Sequence, residues 1–67
     1  MQHYQVEPEV AVREFLKTAD HHERMAELLA QHGKHADAAS ARDAARRCRA
    51  NAERIQYDPE TGMACLP

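Results

Sequence analysis

Residues 38–55 read AASARDAARRCRANAERI, and small or apolar residues recur in this stretch at steps of three and four. This is the spacing of positions that face another helix in a packed pair. Alanine is the strongest helix former, and the stretch contains neither glycine nor proline. The pattern therefore predicts a helix whose buried stripe consists of Ala38, Ala41, Ala45, Cys48, Ala52 and Ile55.

A second amphipathic helix is predicted upstream of this one. Pro8 suits the first helical position, where the missing N–H is not needed, and Gly33 suits the residue after a helix because it adopts a left-handed conformation without strain. The apolar stripe of this helix consists of Val12, Phe15, Leu16, Ala19, His22, Ala26, Leu29 and Ala30, with Met25 at its edge. We therefore predict one domain with an arm (1–7), helix 1 (8–32), a turn (33–35), helix 2 (36–57) and a tail (58–67).

A tight turn at Gly33 sets the two stripes in register as an antiparallel hairpin. The predicted layers are Leu29/Ala41, Ala26/Ala45, His22/Cys48, Ala19/Ala52 and Phe15/Ile55. Because alanine faces alanine in two layers, the helices can approach closely. The larger residues left beside this seam are Leu16, Met25, Leu28 and Tyr57. A second copy would cover them, so we predict an all-α fold in which two hairpins form a homodimeric four-helix bundle.

Size and composition favour a small interaction module. A chain of 67 residues buries little surface and usually needs a partner subunit, a metal or a disulfide, and two cysteines make no disulfide framework. The net charge of −2 disfavours a strongly basic nucleic-acid binder, although helix 1 is acidic and helix 2 is basic. The sequence contains no apolar run of membrane-spanning length and no signal peptide, so we expect a cytoplasmic protein without a membrane partner.

The familiar catalytic motifs are missing from the sequence. It contains no glycine-rich phosphate loop, no His-Glu-x-x-His motif and no serine nucleophile elbow. The Glu-x-x-His spacing of di-iron helical bundles is also missing. We therefore expect no catalytic residues, no cofactor and a regulatory or protein-interaction function exerted through the helical surface on a protein partner.

Two side chains suggest an alternative function in metal binding or sensing. The predicted hairpin sets His22 opposite Cys48, and imidazole and thiolate are both good zinc ligands. Zinc needs four ligands, and one hairpin supplies two, so a second copy would have to complete the set. The simpler interpretation is a buried histidine beside a small apolar cysteine.

The arginines of helix 2 suggest another alternative, a nucleic-acid-binding bundle. Arg42, Arg46, Arg47 and Arg49 could contact phosphate or an acidic protein. Aromatic residues do not alternate with these arginines, and Asp43 and Glu53 lie among them, which also fits a solvated surface with ion pairs. The size, the hairpin layout and the core of small and large residues resemble the Rop-type hairpin proteins, which dimerise into four-helix bundles and bind paired RNA loops. Helix 1 departs from that class, because it is acidic where those proteins present their RNA-binding surface.

Overall fold

A computed structural model describes residues 2–67 and shows two long helices joined by a short turn. Helix α1 spans Pro8–Gln31 and helix α2 spans His35–Arg54. The two helices pack against each other along their lengths, which confirms the predicted helical hairpin. Neither helix is long and apolar enough to cross a membrane.

The turn between the helices is a Schellman motif centred on Gly33. Gly33 has a φ of +75°, the left-handed conformation that the sequence predicts there. Its N–H donates to the carbonyl of Ala30 at 3.0 Å, and the N–H of Lys34 donates to the carbonyl of Leu29 at 2.8 Å. These two hydrogen bonds satisfy carbonyls that the end of α1 would otherwise leave free. The chain therefore reverses within three residues, His32 to Lys34.

Alanine lines the seam between the two helices. The buried alanines are Ala11, Ala19, Ala26, Ala38, Ala45 and Ala52. Phe15 and Ile55, the large residues predicted for the last layer, are only half-buried. No large side chain of residues 2–67 is fully buried. The seam thus lets the helices approach closely, but each alanine removes little apolar surface from water.

A small three-stranded antiparallel sheet lies at the end of the hairpin that carries the two chain termini. Its strands are β1 (Gln2–His3), β2 (Gln56–Tyr57) and β3 (Ala64–Leu66), in the order β1-β3-β2. All three residues of β3, the central strand, are buried, and β3 contacts α1. The arm that leads into α1 is held beside β3, because the N–H of Tyr4 donates to the carbonyl of Ala64 at 2.9 Å.

The sheet corrects two predictions made from the sequence. The all-α assignment is incomplete, because segments of the predicted arm and tail pair as strands. Helix 2 does not extend to residue 57: it begins one residue earlier than predicted, at His35, and ends at Arg54. Ile55 is extended, with φ −59° and ψ 131°, and Gln56 and Tyr57 then pair with β3. Their backbone groups form sheet hydrogen bonds instead of extending the helix.

The turn between β2 and β3 is organised by Asp58. Its carboxylate accepts hydrogen bonds from the Glu60 N–H at 3.0 Å and from the Thr61 hydroxyl at 3.2 Å. Its backbone N–H donates to the carbonyl of Met63 at 2.9 Å. Gly62 has a φ of +71°, so the residue that closes the turn also adopts the left-handed conformation. The sequence indicates a turn here, and the structure shows that this turn is the loop of a β-hairpin.

Candidate interaction surface

Ion pairs between the helices define one lateral side of the hairpin. Arg49 of α2 donates a hydrogen bond to Glu23 of α1 at 2.8 Å and lies 3.8 Å from Asp20. Two turns away on α2, Arg42 lines a polar cavity of about 210 Å³ with Glu23 and Glu27. We call these five residues the charged side. Both contacts of Arg49 agree with the register predicted from the alanine layers.

The ion pair shifts the ionisation of both partners. The hydrogen bond from Arg49 holds the pKa of the Glu23 carboxyl below its ordinary value, and desolvation opposes this shift only in part. The same hydrogen bond raises the pKa of the Arg49 guanidinium. Both side chains are about half exposed, so salt will weaken this attraction.

The opposite side of the hairpin carries little charge, with Glu14 and Asp37 near its two ends. Ala26 points into the seam, and Glu23 and His22 flank it on opposite sides, three and four residues earlier. Cys48 and Arg49 flank the buried Ala45 in the same way. Because Glu23 and Arg49 meet on the charged side, His22 and Cys48 share the other side.

Helical spacing extends this second surface along both helices. Positions three, four and seven residues from His22 and Cys48 lie in the same rows. We call the following set the uncharged side: Ala11, Phe15, Thr18, His22, Met25 and Leu29 of α1, Ala41, Ala44, Cys48 and Asn51 of α2, and Ile55 directly after α2. Apart from the buried Ala11 and the exposed Thr18 and Met25, its members are half-buried. A broad, partly covered surface with little fixed charge is typical of a helix pair that packs against another element.

An open apolar cavity lies at the sheet end of the uncharged side. It measures about 190 Å³ and is lined by Tyr4, Val6, Ala11, Glu14, Phe15 and Thr18. The rings of Tyr4 and Phe15 meet edge to face, with their centroids 5.8 Å apart. The Glu14 carboxylate lies 3.6 Å from the Lys17 ammonium, so its charge has a partner outside the cavity. The cavity exists because β1 holds the arm against α1, which sequence reasoning did not foresee.

The large apolar residues predicted beside the seam are exposed, but they do not form one patch. Leu16 is 44% exposed and shares a helix row with Asp20 and Glu23 of the charged side. Met25, 38% exposed, lies on the uncharged side, and Leu28, 50% exposed, lies further round the outside of α1. Tyr57 belongs to β2. Of these predicted residues, Met25 is therefore the one positioned on a surface that a second hairpin could cover.

The structure places the two candidate metal ligands, His22 and Cys48, on the same side of the hairpin. Both are half-buried, and Cys48 is a free thiol. Over residues 2–67, no three His, Cys, Asp or Glu side chains come together as a metal-ligand group. A site built on this pair would therefore need ligands from a second molecule.

Three of the four arginines proposed to contact a partner are engaged in ion pairs with carboxylates. Arg46 and Arg47 both pair with Asp43, at 3.4 and 2.9 Å, on the outer surface of α2. Arg49 is engaged with α1 on the charged side. Arg42 is the one of the four without an ion pair in the part of the chain that the structure describes. Partial neutralisation by neighbouring carboxylates weakens the field that a nucleic acid would meet.

Comparison with known proteins gives no family for this chain. It matches no protein-family model, no curated protein and no solved structure.

Proposed function

We propose that the chain is a small non-catalytic interaction module that self-associates through the uncharged side into a four-helix bundle. One observation carries the proposal. The hairpin presents eleven uncharged residues on one side, with charge only near the ends at Glu14 and Asp37, while the ion pairs that join the helices lie on the other side. Such a division of charge is typical of a hairpin that packs against a second hairpin.

The packing of a single hairpin supports self-association. Its seam consists of alanine, and Phe15, Leu29 and Ile55 keep part of their surfaces exposed. The 24 residues of α1 span about 36 Å. The molecule is about 17 Å across, so one side offers a plan area of roughly 600 Å² per copy. Two such areas reach about the lower end of the range for stable interfaces.

The dimer would leave the outer surfaces of both hairpins free for a protein partner. Arg46 and Arg47 lie there with Asp43, outside the seam and outside the uncharged side. We propose that the module acts by occupying a partner's surface through these helices, in the cytoplasm, where Cys48 and Cys65 would stay reduced. Because the residues that contact the partner would lie on helices, their relative positions would be fixed.

The oligomeric state tests the proposal directly. Light scattering coupled to gel filtration should give twice the 7.6 kDa chain mass at micromolar concentrations. Met25→Glu, which adds a charge to the uncharged side, should shift the protein towards monomer. Leu16→Glu is the matched control, because it adds the same charge to a similarly exposed residue on the charged side. A protein that stays monomeric up to about 100 μM contradicts the proposal.

The shared location of His22 and Cys48 supports a second proposal, zinc binding by the dimer. The pair from two copies would give two imidazoles and two thiolates, which is a set that zinc accepts. Zinc should then raise the Tm of the wild-type dimer and leave that of Cys48→Ala unchanged. A zinc-independent Tm in the wild type contradicts this second proposal without touching the first.

A further inference from the structure

The uncharged side of α1 carries a hollow at one end and a protruding side chain at the other. The apolar cavity of about 190 Å³ lies beside Ala11, Phe15 and Thr18. Met25 projects from the same side, seven residues and about two helix turns after Thr18, and is 38% exposed. Each feature by itself leaves apolar surface in water.

The cavity has the size and chemistry to hold a methionine side chain. An apolar cavity of about 150 Å³ accepts a guest as large as benzene, so one thioether side chain fits in this volume. Methionine is unbranched and adapts to irregular spaces, and its sulfur packs favourably near the edges of aromatic rings. Tyr4 and Phe15 offer such rings at the wall of the cavity.

Met25 cannot fill the cavity of its own chain. It lies ten residues after Phe15 on a continuous helix, a distance of about 15 Å. A second copy removes this obstacle. A two-fold axis that crosses α1 at right angles near residue 20 exchanges the two ends of the helix. It therefore places Met25 of each copy over the cavity of the other copy.

We propose that the protein forms a dimer in which α1 packs antiparallel on α1 of the second copy, with Met25 of each copy inserted into the Tyr4–Phe15 cavity of the other. The inference rests on the proposed dimer and adds its geometry. The interface is self-complementary, since the same hollow and the same side chain meet twice. The sheets of the two copies lie at opposite ends of the bundle, and the two Gly33 turns are about 40 Å apart.

An isotope-filtered NOE experiment on the full chain tests this contact. A mixed dimer of ¹³C-labelled and unlabelled protein should show cross-peaks between the Met25 methyl group of one copy and the Phe15 ring of the other. Phe15 is the one phenylalanine of the chain, and comparison with Met25→Leu identifies the methyl signal. Within one copy these groups are too far apart for an NOE, so a cross-peak reports the second copy.

Distances between spin labels give an independent measure of the same geometry. Labels on Lys34→Cys, in a Cys48→Ala background, should be about 40 Å apart in the dimer. Two hairpins related by an axis along the helices would instead bring the labels close together. Met25→Glu should weaken dimerisation about tenfold or more, and Leu16→Glu should leave it unchanged.

The outcomes separate this inference from the proposed function. Intermolecular Met25–Phe15 cross-peaks with a long label distance support it. A dimer without those cross-peaks, or with the turns close together, overturns the inference and leaves the proposed self-association standing. A chain that remains monomeric with helical circular dichroism overturns both.

Discussion

Arg49 donates a hydrogen bond to Glu23 across the hairpin at 2.8 Å, and this contact distinguishes the two sides of the molecule. Glu23 and His22 flank the same buried alanine, as do Arg49 and Cys48. Pairing of the charged residues on one side therefore places the histidine and the cysteine together on the other. Because α1 is acidic and α2 is basic along the charged side, opposite charges meet in this register.

The pair predicts how stability depends on pH. The pKa of Glu23 is lower in the folded protein than its ordinary value of 4.5, because Arg49 donates to the carboxylate. Its stabilising contribution is therefore complete above about pH 4.5 and is lost as the pH falls through the lower folded value. Glu23→Gln should lower the Tm slightly at pH 7, and this difference should shrink in acid and in high salt. Thermal unfolding of both proteins from pH 2 to pH 7 measures it, and an undiminished difference at pH 2 would contradict the assignment.

Substitution of Gly33 should destabilise the hairpin through the backbone alone. A Cβ at this position would meet no atom within 4 Å, but the φ of +75° is unfavourable for alanine. Gly33→Ala should therefore cost about 1–2 kcal/mol in the free energy of unfolding. Gly33→Asn is the matched comparison and should cost less, because asparagine tolerates this conformation. Urea denaturation measures both, and equal losses for the two variants would contradict the assignment of the cost to the left-handed φ.

The close approach of the helices predicts that a larger side chain is destabilising at a seam alanine and tolerated at an exposed alanine of α2. Ala45 is 1% exposed in the seam, whereas Ala39 faces solvent on the same helix. Ala45→Leu should destabilise the protein by about 1–3 kcal/mol, because the added atoms force the helices apart. Ala39→Leu should change stability by less than about 0.5 kcal/mol. If urea denaturation shows that Ala45→Leu leaves the free energy of unfolding unchanged, the helices are not close-packed at this position.

Asp58 should stabilise the β-hairpin with little effect on the helices. Its side chain is 13% exposed and accepts two hydrogen bonds within the turn. Asp58→Ala should cost about 1 kcal/mol and speed amide exchange at Cys65 and Leu66 in β3. Thr61→Ala is a milder control, since it leaves the Glu60 N–H bonded to Asp58. Uniformly faster exchange in α1 and β3 would show that the sheet and the helices open as one unit.

The two thiols should differ in reactivity. Cys65 is 4% exposed in the central strand, whereas Cys48 is half-buried on the uncharged side. A thiol reagent should therefore modify Cys48 in the folded protein and reach Cys65 only after unfolding. Cys48→Ala isolates the Cys65 signal. If the uncharged side is the dimer interface, Cys48 should react more slowly as the protein concentration rises, and a concentration-independent rate would argue against that interface.

Much of the hairpin could be predicted because its determinants are local. Steps of three and four residues identify the packed face of each helix, and Gly33 marks the turn by the conformation it allows. The carboxylates of α1 and the arginines of α2 were visible as opposite charges. The register also predicted that His22 faces Cys48. That the two lie on the side away from the ion pairs required knowing which charged residues meet.

The small sheet could not be predicted in the same way. Its strands are two or three residues long, too short for an alternating pattern, and β1 pairs with a strand more than sixty residues away. The Asp58-Pro59 sequence and Gly62 are typical of a turn, but the three residues Ala64-Cys65-Leu66 after it do not distinguish a strand from an apolar tail. Nothing local indicated that the arm would lie beside it.

The sequence by itself therefore determined the two helices, their alanine seam and the turn, because periodicity and backbone preference act over a few residues. The tertiary structure alone decided the end of α2 at Arg54, the sheet and the cavity between Tyr4 and Phe15. These features depend on backbone hydrogen bonds and packing between the two termini of the chain. Such contacts arise only when the hairpin brings distant segments together.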